Sequence, residues 1–117
     1  MNGMRSFKVP IGLSIYTVKF RKRITVKGIE CEGFCDAENK VLWIERRPTE
    51  LDVMFVNFWH EYAHALFFEL GHPEFAHNEA FIESVGQNLA RAARSLPIGI
   101  APARRRGAVL ARHSARH

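Results

Sequence analysis

The sequence predicts an α+β domain: a small antiparallel sheet, then a helix carrying a histidine motif, then a second helix. Three observations predict it. Short β-branched and aromatic runs separated by turn residues fill residues 14–45, as strands do. From Leu51 to Leu66 the apolar residues Leu51, Met54, Phe55, Phe58, Tyr62, Ala65 and Leu66 recur at intervals of three and four, the period of an amphipathic helix. After a polar break, Ile82, Val85 and Leu89 repeat that spacing. A chain of 117 residues has room for one such core and no second domain.

Residues 1–11 are weakly patterned, and Pro10 with Gly12 marks a break. Ser14–Phe20 reads as the first strand and Ile24–Val26 as a second, ending before Gly28. Between them the basic run Lys19-Phe20-Arg21-Lys22-Arg23 reads as a solvated edge that discourages strand pairing, in preference to a nucleic-acid contact. Glu32–Cys35 and Val41–Glu45 form a hairpin about the turn Asp36-Ala37-Glu38-Asn39. The expected edge strand is Val41–Glu45, where an extended peptide could pair by strand addition. Cys31 and Cys35 are too few for a disulfide framework. In one strand they would share a face, and they are expected to be reduced, half-buried thiols; zinc usually takes cysteines two residues apart with partners elsewhere.

Thr49, with Asp52 three residues on, resembles a capping box and starts the first helix near Glu50. Gly71 and Pro73 stop it. A polar loop, Gly71–His77, leads to Asn78, which can cap a helix from Glu79 to about Leu96. On that second helix Glu79, Glu83, Gly86 and Ala90 form a stripe beside the apolar one. Carboxylates at one end and small residues below fit a face lying close against the first helix.

No apolar run approaches the roughly 20 residues of a membrane span, and no signal-peptide pattern opens the chain, so the expected compartment is the cytoplasm. All twelve acidic residues lie at or before Glu83 with ten of the seventeen Lys and Arg, a net charge of −2. Residues 84–117 hold seven arginines and no acid, so the basic balance belongs to the C-terminal end. From Pro97 onward Pro, Gly, Arg and Ala predominate, and the expected organisation is a domain at 1–96 and a flexible basic tail at 97–117. The tail reads as a solubilising end, with weak electrostatic contact to nucleic acid as the alternative.

The chemistry concentrates in Trp59-His60-Glu61-Tyr62-Ala63-His64-Ala65. Residues four apart share one helix face, so His60 and His64 can present two imidazoles to one ion. Glu61 lies about 100° further round, suited to hold a water beside that ion rather than to ligate it. Catalytic zinc takes three protein ligands and keeps a fourth position for water. Candidates for the third ligand are His72, His77, Glu79 and Glu83. Glu79 leads, because it opens a helix expected to pack on the first and because two histidines with one glutamate are a known catalytic set. Glu83, one turn on, would then receive the N–H of His60; Glu83 or His77 as the ligand are the alternatives, and the plain reading of both glutamates is an acidic helix start.

Over residues 30–95 the chain resembles the zincin metallopeptidases. His-Glu-x-x-His-Ala followed by Asn78-Glu79-x-x-Ile82-Glu83 is similar to the gluzincin pattern, with Glu83 where that pattern has Asp. The small size and the strands before the motif resemble compact ImmA/IrrE-like metallopeptidases, often encoded by bacteriophages. The resemblance implies a Zn2+ cofactor on His60, His64 and Glu79, Glu61 as general base, and peptide-bond hydrolysis in a protein partner such as a repressor. Tyr16, Tyr62, His72 and His77 are candidates for the oxyanion-stabilising donor. Metzincins are excluded, because their motif needs Gly and His where this chain has Phe67 and Leu70. His77-Asn78-Glu79-Ala80-Phe81 faintly echoes SprT-like proteases, which would make His77 the ligand, but lacks their Gly-Pro. Two other classes remain open: a zincin-like binding module whose metal only stabilises the fold, and a nucleic-acid-binding module led by the tail. Glu61 argues against the first, since a structural site needs no base.

Overall fold

Alternation of apolar and polar side chains sets the inner and outer faces of the sheet. The computed structural model of the chain describes residues 4–96. Strand β1 (Phe7–Ile11) runs antiparallel to β2 (Ser14–Arg21), with Ile11 opposite Ser14. The turn between them needs glycine: Gly12 has φ +62°, and a Cβ there would come within 2.9 Å of Glu69 Cβ. Pro10, which looked like a break in the sequence, sits in β1 at a sheet edge, where a missing N–H is tolerated.

Residues 24–31 leave the sheet as a separate hairpin, β3 (Ile24–Val26) with β4 (Ile29–Cys31). Its two turn residues, Lys27 and Gly28, both have positive φ (53° and 82°), which suits the twist of a tight hairpin. The chain returns as β5 (Gly33–Asp36), turns through Asp36–Lys40, and β6 (Val41–Glu45) inserts beside β2. The order is therefore β1-β2-β6-β5, with β2 and β6 parallel and the other two pairs antiparallel.

This topology corrects three expectations. Val41–Glu45 is an inner strand, and the edges are β1 and β5. The basic run beginning at Lys19 starts on the inner strand β2 and not on an edge strand. Lys19, Phe20 and Arg21 nevertheless pair with β6 alone and extend past the last β1 pair, Phe7 with Val18, so one side of the run stays unpaired among the described residues. Cys31 and Cys35 lie on different strands, β4 and β5, and both are unpaired thiols.

Helix α1 (Leu51–Glu69) covers the inner sheet face, where the fully buried Ile11, Tyr16, Val18, Leu42 and Ile44 form one core with the buried Met54 and Ala65 of the helix. It starts where the sequence indicated, but the Thr49 capping box does not form: at its start Glu50 makes no side-chain cap bond, and its carbonyl accepts from Val53 and Met54. Its far end closes with Gly71 N–H to Phe68 O (3.1 Å) and His72 N–H to Phe67 O (2.9 Å), around Gly71 at φ +84°, the paired bonds of a Schellman cap. The expected polar loop contains one more helical turn, α2 (Pro73–Ala76), with proline at its first position. Asn78 caps α3 (Glu79–Ser95) by accepting from Phe81 N–H at 3.0 Å. Ile82, Gly86 and Ala90 are the buried residues of α3. At Gly86 a Cβ would meet His60 Cα at 2.9 Å, so the two helices touch backbone to backbone beside the first motif histidine.

No helix among the described residues is long and apolar enough to cross a membrane. The expected basic tail, 97–117, lies outside the described residues.

Candidate metal centre

Helical spacing places His60 and His64 side by side, their ring centroids 5.0 Å apart. The close approach at Gly86 brings the start of α3 across them. Glu79 Oε1 lies 3.2 Å from His60 Nε2, and Glu79 Oε2 lies 3.1 Å from His64 Nε2. One ligand atom each from His60, His64 and Glu79 fall within 4.8 Å of one another, the group of this kind found among the described residues. Both imidazoles are held from behind. His60 Nδ1 is 3.0 Å from Glu83 Oε1, and His64 Nδ1 is 2.6 Å from the Ala76 carbonyl. An ionised carboxylate and a carbonyl only accept, so each Nδ1 carries a proton and each ring turns its Nε2 toward Glu79.

That donor set tests its own fit to a cation. Two ring nitrogens and a carboxylate converge at about hydrogen-bond distance, an arrangement that needs a proton or a positive ion between its members. Burial, the larger influence, lowers the pKa of His64 against the raising contact with Ala76, which disfavours the proton as the occupant. The residues therefore fit a divalent metal of the zinc class, with second contacts of the kind that orient ligating histidines.

Glu61 is the buried charged residue of the described chain, 7% exposed. Burial pushes its pKa up to about 8, and the charge of Glu79 adds to the rise. Its carboxylate lies on Gly33 of β5, where a Cβ would come within 2.8 Å of Glu61 Oε2. Glu61, His60, His64, Glu79, Glu83 and His77 all line an open cleft of about 730 Å³. Its other walls include Glu32–Cys35 at the β5 edge, Asn57 and Ala76, with no Lys or Arg among its lining residues.

His77 borders the cleft, but its Nδ1 contacts the Pro73 carbonyl at 3.0 Å and the residue is not in the converging group. His72 lies beside Glu74 at 3.4 Å and does not line the cleft. Tyr16 is fully buried with its hydroxyl donating to Glu69, and Tyr62 packs on Phe58 and Trp59, so neither of these oxyanion candidates reaches the site. Three contributors had escaped the sequence reading: Gly33 under Glu61, the Ala76 carbonyl behind His64, and Asn57. The last stands one turn before Glu61, with its Nδ2 buried and lacking a hydrogen-bond partner. Only Asn57 had a local signal, its four-residue spacing from Glu61 on the motif helix.

Comparison with protein-family models, curated proteins and solved structures finds no match to this chain.

Proposed function

We propose that this chain is a zinc-dependent metallopeptidase of the zincin type, hydrolysing a peptide bond in a protein or peptide substrate. The observation that carries the reading is the convergence of His60 Nε2, His64 Nε2 and the Glu79 carboxylate on one point, beside a buried glutamate that makes no ion pair. His60, His64 and Glu79 would hold the ion, which when bound supplies a Lewis acid for the scissile carbonyl and acidifies water. Glu83 and the Ala76 carbonyl hold the two imidazoles in the ligating tautomer. Glu61 accepts the proton of the attacking water and returns it to the leaving amine. Its burial favours the protonated form that the second step requires, and a cation beside Glu79 offsets the like-charge contribution.

Substrate enters along β5 in this reading. That strand is a sheet edge and lines the cleft, so an extended peptide adding to it would pass beside Glu61. His77 and Asn57 also line the cleft and are the candidates for donating to the carbonyl oxygen as charge develops. The two free thiols fit the cytoplasmic setting expected from the sequence.

Elemental analysis of the purified protein, with casein hydrolysis measured alongside, tests the proposal. The expected result is one zinc per chain, lost in Glu79→Ala and retained in His77→Ala and Glu61→Gln, with hydrolysis abolished in Glu61→Gln. Loss of zinc with His77→Ala instead would transfer the ligand to His77. A wild type that takes up no zinc, or hydrolysis that survives Glu61→Gln, would overturn the enzyme reading.

A further inference from the structure

The sheet has a second face, turned away from α1 and bare among the described residues. Tyr16, Val18, Leu42 and Ile44 point inward and are fully buried, so the alternate residues of the same strands point outward. Lys19 pairs with Trp43, and Trp43 with Phe34, placing the three in one row across β2, β6 and β5. Lys8 pairs with Thr17, one step along β2 from Lys19 on the same face, a spacing of about 7 Å. Arg21 continues the line at the other end. Its guanidinium carbon lies 4.6 Å from the centre of the Trp43 ring, and Lys19 Nζ lies 5.6 Å from it.

These cations are uncompensated. Among the described residues Lys8, Lys19 and Arg21 form no salt bridge. Both carboxylates on this face are engaged elsewhere: Glu45 holds Arg47 at 2.9 Å, and Asp36 accepts from Asn39. The result is a line of positive charge over an aromatic centre.

We propose that this face binds single-stranded nucleic acid, with phosphates along Lys8, Lys19 and Arg21 and a base stacked over the Arg21–Trp43 layer. A positive track beside stacking surfaces is the chemistry that recognises single strands, and guanidinium planes stack on bases as aromatic rings do. A face four strands across is broader than the helix or two-stranded ribbon that a duplex major groove admits. Charge excludes the nearer occupants: residues 97–117 carry five arginines and no acid, and a second copy would bring the same cations. The proposal is independent of the metal centre, which lies on the opposite side of the sheet with α1.

Fluorescence anisotropy of the full chain with a labelled oligothymidylate of roughly 20 nucleotides, enough to span the face, tests it at several salt concentrations. Wild type binds. Lys19→Glu/Arg21→Glu, confined to exposed side chains, weakens binding by about tenfold or more, and the log–log salt slope becomes shallower by about 1.4. Trp43→Ala weakens binding by about tenfold with the salt slope unchanged, and Trp43→Phe restores most of it. The proposal is overturned by a wild type that does not bind. It is equally overturned if the double variant binds as wild type does, which would assign binding to residues 97–117. Competition by polyglutamate as effective, charge for charge, as the oligonucleotide would reduce the face to a general anion surface and overturn the nucleic-acid assignment.

Discussion

At Gly33 a hydrogen atom occupies space that a methyl group would take from the Glu61 carboxylate, with Oε2 at 2.8 Å and Cγ at 3.0 Å from the position of a Cβ. Gly33 lies on β5, whereas His60, His64 and Glu79 sit on the two long helices. If the proposed metallopeptidase reading holds, Gly33→Ala is therefore expected to displace Glu61 and leave His60, His64 and Glu79 in place: zinc content stays at wild-type level while casein hydrolysis falls by about 10²-fold, the scale on which small misplacements act. Zinc loss in Gly33→Ala would show that β5 supports the ligands as well as the base. The arrangement of His60, Glu61 and His64 was legible in the sequence because helical spacing is local, and the three declare their geometry within five residues. Gly33 and the Ala76 carbonyl were not. Each acts through a contact between segments distant in sequence, and a carbonyl has no side chain by which to be read.

Glu69 shows how the motif helix is tied to the sheet at its far end. Its carboxylate accepts from Ser14 Oγ at 2.8 Å, Tyr16 Oη at 2.7 Å and Lys40 Nζ at 2.6 Å, joining α1 to β2 and to the start of β6. The Lys40 contact first, then Tyr16 and Ser14, holds the Glu69 carboxyl below its ordinary pKa, while burial opposes them. A carboxyl depressed in the folded state contributes stability above its unfolded pKa and loses it as pH falls through the folded value. The melting temperature of wild type is thus expected to exceed that of Glu69→Gln by a constant amount between pH 6 and 8, and the gap should narrow below about pH 4.5. A gap that widens toward acid would contradict the assignment. The helices themselves were legible, since their periods and the Asn78 cap are local signals. Strand order was not: the alternation in Val41–Glu45 fits an edge or an inner strand equally, and the hairpin at 24–31 lets β6 settle beside β2.

Across the molecule, charge divides between two faces. One side of the sheet gathers Lys8, Lys19 and Arg21, while the cleft on the other is lined by Glu32, Glu61, Glu79 and Glu83. In the proposed centre His60 and His64 come from α1 and Glu79 from α3, so one ion would clamp the two helices across the contact at Gly86. Any ligand that binds the folded chain alone stabilises it by mass action, by about 2.7 kcal/mol at a free concentration a hundred times its dissociation constant. For a domain of this size each kcal/mol moves the melting temperature by about 4–8 °C. Zinc added to chelator-treated protein is therefore expected to raise the melting temperature by about 10–20 °C at that ratio. Glu79→Ala should lose most of the rise, while Glu61→Gln should keep it, because Glu61 is not among the proposed ligands. An equal rise in Glu79→Ala would mean that zinc binds elsewhere, with the cysteines at 31 and 35, both of which line the cleft, as the next place to look. A rise in wild type that disappears with Glu79 alone would tie metal, helix packing and base to a single centre.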